Sequence, residues 1–93
     1  MNQATSPLLL APGLSLCDLE RNVPARISHI VTPATEAEQH LVLRLIEIGF
    51  LPGEILRVVA HGHPGREPIA VRLGHTTFAL RRHEAAFIQV EAA

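Results

Sequence analysis

Arg44-Leu45-Ile46-Glu47-Ile48-Gly49-Phe50-Leu51-Pro52-Gly53-Glu54-Ile55-Leu56-Arg57-Val58-Val59 carries the chain from a helix into a strand through two glycine-dependent corners. Leu41, Val42, Leu45, Ile46 and Ile48 fall at helical spacing and predict a broad apolar stripe facing a core. Gly49 then supplies the left-handed residue that ends a helix. In Leu51-Pro52-Gly53-Glu54, proline sets φ at the second position and glycine takes positive φ at the third, which predicts a type II turn. Beyond it Leu56, Val58 and Ala60 alternate with other residues, the pattern of a strand from Ile55 to Ala60 with one buried face.

Upstream, the helix has a legible start. Thr35 stands three residues before Glu38, the capping-box spacing in which each side chain serves the other's backbone amide. Pro33 requires that any preceding strand has already ended. That strand runs from Val23 to Val31, with Ile27 as its inward anchor and a bulge or strand end at Ile30-Val31. Asn22 is the residue suited to a left-handed turn before it. Leu14 to Leu19 makes one short helical turn that presents Leu16 and Leu19 to the core.

Downstream, His61 to Glu67 is a glycine- and proline-rich loop. Ile69, Val71 and Leu73 alternate with Ala70 and Arg72 in a third strand, Gly74-His75 reverses the chain, and Phe78 and Leu80 point inward from a fourth. Arg82 to Ala86 is a helical turn, and Ile88 and Val90 belong to a last strand. The order predicts a mainly β fold with one inserted α-helix: a small, partly open barrel of about five strands. Residues 1–13, with Leu8-Leu9-Leu10 between Ser6-Pro7 and Pro12-Gly13, read as a flexible lead-in, and 14–91 as the domain.

Composition narrows the function. A chain of 93 residues makes one domain and buries only roughly 60–65% of its unfolded surface, which leaves no room for a deep active site beside a core. All 8 basic residues are arginine, against 9 acids, for a net charge of −1. No global field draws in nucleic acid or anionic lipid. The aromatic residues are Phe50, Phe78 and Phe87. The core needs them, so neither base-stacking platforms nor a polyproline groove is expected. Cys17 is the sole cysteine. It excludes an intramolecular disulfide and fits a reduced cytosol. Leu8-Leu9-Leu10-Ala11 is too short for a signal peptide's apolar stretch or a membrane span. No nucleophile elbow, P-loop or metalloprotease motif is present, so an enzyme is not expected.

The helix exit Arg44-Leu45-Ile46-Glu47-Ile48-Gly49-Phe50-Leu51-Pro52-Gly53 resembles the FeoA family of small cytosolic proteins of bacterial ferrous-iron uptake. Pro68-Ile69, Val71, Phe78-Ala79-Leu80-Arg81, Glu84-Ala85, Leu16 with Leu19 and Ala25-Arg26-Ile27 fit it as well. The resemblance covers nearly all of the chain beyond the lead-in, although the family usually has glycine where Asn22 stands. It implies an SH3-like barrel that binds the membrane transporter FeoB and modulates its assembly or GTPase-linked transport, without inserting in the membrane itself. No cofactor is expected. The same barrel is similar to the C-terminal domain of iron-dependent repressors, and the alternative is a stand-alone metal-sensing or nucleic-acid-associated module.

Two groups of residues are candidates for the site. Phe50 and Leu51 sit at a corner where one side chain turns inward and the other meets the surface; the outward one is the expected partner anchor, with Arg44 and Glu47 as its polar rim. His61-Gly62-His63 is an H-x-H pair that an extended segment aims to one side. His75, Glu67 or His29 would complete a metal set, and adventitious binding is the competing explanation.

Overall fold

Why the chain leaves the helix where it does is visible in the computed structural model, which describes residues 14–93; the expected lead-in lies outside the described residues. Helix α1 spans Glu36–Ile48. Thr35 is its N-cap, and its Oγ1 accepts the Glu38 amide at 3.1 Å. The reciprocal half of the box lands one residue earlier than expected. The Glu38 carboxylate accepts the amide of Ala34, not of Thr35, at 2.8 Å. A cap of this kind contributes about 1 kcal/mol.

Gly49 ends the helix at φ 125°. Its amide donates to Ile46 O at 3.1 Å and the Phe50 amide reaches back to Leu45 O at 3.0 Å. Those two bonds make a Schellman closure, with buried Phe50 and Leu45 supplying its apolar contact.

The sheet has five antiparallel strands: β1 (Ala25–Ile30), β2 (Ile55–His61), β3 (Ile69–Leu73), β4 (Thr76–Leu80) and β5 (Ile88–Ala92). Their order is β4-β3-β2-β1-β5. Helix α1 lies in the connection between β1 and β2, and a single helical turn, α2 (Arg82–Ala85), joins β4 to β5. This is the expected mainly β fold with one inserted helix. A 3-10 turn at Leu16–Asp18 precedes β1, and Leu14 O accepts the Val90 amide beyond it. The lead into the domain thus bonds to the β5 edge, which limits edge pairing with other chains.

The core gathers one face of every strand. Ile27, Leu56, Val58, Val71, Ile88 and Val90 meet Leu16 and Leu19 from the first turn and Leu45 and Phe50 from the helix, each nearly fully buried. Phe50 stands edge-on to Phe78 with ring centroids 5.6 Å apart. Asn22 takes the left-handed conformation at φ 67°.

Four details depart from the pattern read in the sequence. β1 does end at Ile30, as Ile30-Val31 suggested, but it also carries a register shift between Ile27 and His29 that the sequence did not indicate. A second shift between Val58 and Ala60 turns Ala60 outward. A bulge adds one residue and so reverses the faces that follow it, which is why simple alternation fails there. Ile46, placed on the buried stripe, is 39% exposed. Cys17, whose lone thiol in a leucine-rich turn reads as a small buried apolar residue, is only half-buried, with its Sγ 2.8 Å from Ser15 Oγ.

Candidate functional site

The helix exit is built from local bonds before any tertiary contact is made. After the Schellman closure, the Leu51 amide donates to Gly49 O at 2.8 Å, so the chain turns tightly about Phe50. The Glu54 amide then donates to Leu51 O at 3.1 Å across Pro52-Gly53, with Gly53 at φ 95°. Two further bonds stitch the turn to β1: Gly53 donates to Ile27 O at 2.8 Å, and Ile27 donates to Glu54 O at 2.9 Å. Every peptide of the corner is therefore held, and the side chains it carries have fixed directions.

Those directions separate the candidate pair. Phe50 is fully buried, whereas Leu51 is 42% exposed. The outward residue is Leu51. Ile55, four residues on at the start of β2, is also exposed, as are Leu43 and Ile46 on α1. Residues three apart on a helix are neighbours, so Leu43 and Ile46 share a strip of its outer side. The sequence hid this strip because an apolar residue at 46 fits a broad stripe as well as an exposed flank.

The charged candidates fall elsewhere on the helix. Arg44 lines a small cleft of about 110 Å³ with Leu41, Ile48, Phe78, Ala79 and Glu84, on the side of α1 that faces β4 and α2. Glu47, one turn on, is exposed. Arg44 is therefore oriented toward the β4 edge.

The histidine loop has a different construction. Gly62 donates its amide to Pro68 O at 2.9 Å, closing the loop's neck. The backbone there runs so close that a Cβ on Gly62 would overlap the Glu67 carbonyl. Within the loop, His61 Nε2 lies 3.1 Å from an Arg66 guanidinium nitrogen, which donates to it. Burial lowers the His61 pKa below its ordinary value, and the Arg66 charge lowers it further. Glu67 reaches away to accept the Arg82 amide at 3.1 Å, at the start of α2. His29 contacts its neighbour Ser28, and His63 and His75 are exposed. Among the described residues no three His, Cys, Asp or Glu side chains converge to hold a metal ion. The structure thus places His61 and His63 at one loop without bringing His75, Glu67 or His29 to them as a third ligand.

No helix among the described residues is long and apolar enough to cross a membrane.

Comparison with known proteins sets this geometry in a family. A model of the FeoA domain matches residues 14–92. The structure is similar to that of Stenotrophomonas maltophilia FeoA, solved with zinc and described as an SH3 domain protein and candidate ferrous iron transport activating factor. That match has 35% identity and a TM-score of 0.74, over 84% of this chain and 89% of that one. It is similar also to iron(II) transport protein A of Clostridium thermocellum, with 32% identity and a TM-score of 0.71, over 86% of this chain and 46% of that one. A manganese-dependent transcriptional repressor shares the fold at 20% identity and a TM-score of 0.72, over 89% of this chain and 44% of that one. No curated protein sequence matches the chain. The family match takes in all five strands, both helices and the helix-exit corner: the chain belongs to the FeoA family, and its fold is the SH3-like barrel.

Proposed function

We propose that this protein serves bacterial ferrous iron uptake as a cytosolic accessory factor. It docks through its helix-exit corner on the cytosolic, GTP-hydrolysing part of the FeoB transporter and alters that transporter's assembly or activity. Family membership supports the iron-transport setting. The observation that carries the docking role is Leu51, 42% exposed on a corner in which every backbone N–H from Gly49 to Glu54 donates a hydrogen bond. An apolar side chain held rigidly in water loses little entropy when a partner covers it, and interfaces concentrate their energy in a few such anchors. The exposed Leu43–Ile46 strip of α1 extends the apolar area, and exposed Glu47, four residues on from Leu43, is its charged neighbour.

Replacing Leu51 with Asp tests this reading. The side chain fills no core volume, so the melting temperature is expected to stay within about 2 °C of the parent. Calorimetric affinity for the transporter's cytosolic domain is expected to fall by about 2 kcal/mol or more, close to thirtyfold. A folded variant that binds like the parent moves the interface elsewhere. Metal sensing has weaker support, since His61, one of its two candidate ligands, already accepts a hydrogen bond from Arg66 at Nε2.

A further inference from the structure

Arg57 on β2 and Arg72 on β3 stand directly opposite each other in the antiparallel ladder, and both are exposed. Like charges in that position repel, because directly opposed Cβ atoms are only about 4.5–5.5 Å apart. The row continues from Arg72 to Thr77 on β4, so the ladder sets no acid against either guanidinium. The neighbouring outward arginine is treated differently. Arg26 on β1 has Glu91 of β5 opposite it on one side and Ile55 of β2 on the other. The sheet therefore balances Arg26 and leaves the Arg57–Arg72 pair uncompensated. Beside that pair lies an open cleft of about 300 Å³ lined by Pro24, Ile55, Leu56, Arg57, Arg72 and Gly74. Ile55, 43% exposed, gives it an apolar wall.

We propose that this cleft is a binding site for an acidic segment of a protein partner, with a carboxylate between Arg57 and Arg72 and an adjacent apolar side chain on Ile55 and Pro24. Two planar guanidinium groups offer paired donors that match a carboxylate. The apolar wall favours a peptide over a free anion, which has nothing to place there. A nucleic acid is disfavoured by the net charge of −1 and by the lack of free rings for base stacking: Phe50 is buried, and Phe78 and Phe87 pack against the core. The inference does not depend on which protein docks at the Leu51 corner.

The test titrates four probes into the isotopically labelled full chain: a synthetic peptide of alternating Glu and Leu, its Gln-for-Glu counterpart, inorganic phosphate, and a single-stranded oligonucleotide. The Nε–Hε signals of Arg57 and Arg72 and the methyl signals of Ile55 are followed by NMR. The Glu peptide is expected to move all three residues, and the Gln peptide to bind at least about tenfold more weakly, the scale of one charge-assisted hydrogen bond. Arg57→Gln and Arg72→Gln are each expected to lose about tenfold in Glu-peptide affinity. Both variants should melt no lower than the parent, because each relieves the like-charge pair. Equal binding of the two peptides, no binding of the Glu peptide, or unchanged affinity in both arginine variants overturns the proposal. So does displacement of the peptide by phosphate or by the oligonucleotide at equal concentration, which would make the cleft a general anion or nucleic-acid site.

Discussion

The helix-exit corner and the histidine loop both hinge on glycine, for opposite reasons. At the corner, Gly49 and Gly53 adopt positive φ in uncrowded surroundings. A Cβ at Gly49 would meet only Leu73 Cδ2, at an ordinary 3.6 Å, and one at Gly53 would meet nothing within 4 Å. Their requirement is conformational. Gly62 has no positive φ, yet a Cβ there would run into the Glu67 carbonyl and the Pro68 nitrogen. Its requirement is steric. The first kind belongs to each residue's own backbone, and the second to the closing of the loop between β2 and β3, where Gly62 meets Glu67 and Pro68.

Substitution separates the two most sharply. Gly62→Ala is expected to have the largest effect, about 2–4 kcal/mol, because backbone must move and the Gly62–Pro68 hydrogen bond is strained with it. Denaturant titration measures it, and a loss under about 1 kcal/mol would show that the loop yields instead. Gly49→Ala is expected to cost about 1–2 kcal/mol, the price of the left-handed backbone alone, and Gly49→Val more through its added crowding. If Gly49→Ala melts like the parent, the corner does not depend on that conformation.

A smaller effect concerns protons. His61 titrates below its ordinary value, first through burial and then through the Arg66 charge, against which Glu20 pulls the other way. The unfolded chain, where histidine titrates near about 6.5, thus takes up protons more readily than the folded one. The contribution of His61 to stability is present above that value and declines as pH falls through it toward the folded pKa. Arg66→Ala is expected to raise the His61 pKa, followed by the imidazole resonances in an NMR titration. An unmoved titration would mean that the guanidinium does not govern the ring.

The same division explains how much was legible beforehand. Thr35, Gly49, Pro52-Gly53 and the apolar spacing of α1 act within a few residues of themselves, and the sequence exposes them directly. Which of Phe50 and Leu51 faces water followed only from the turn about Phe50. The bulges at Ser28 and Val59, the crowding at Gly62 and the pairing of Arg57 with Arg72 all depend on strand register. Register is a property of two segments paired in space, and no pattern within either segment alone sets it. The same holds for Glu67, which composition offered as a metal ligand and the fold uses to cap α2.

If the corner is the docking surface and the loop is not, the two regions respond differently to the partner. Amide chemical-shift mapping of the labelled protein on titration with the transporter's cytosolic domain reads this directly. The account predicts shifts concentrated from Leu43 to Ile55, strongest at Leu51, with the amides from His61 to Glu67 left in place. Shifts centred on the His61–Glu67 loop, with Leu51 unmoved, would contradict it.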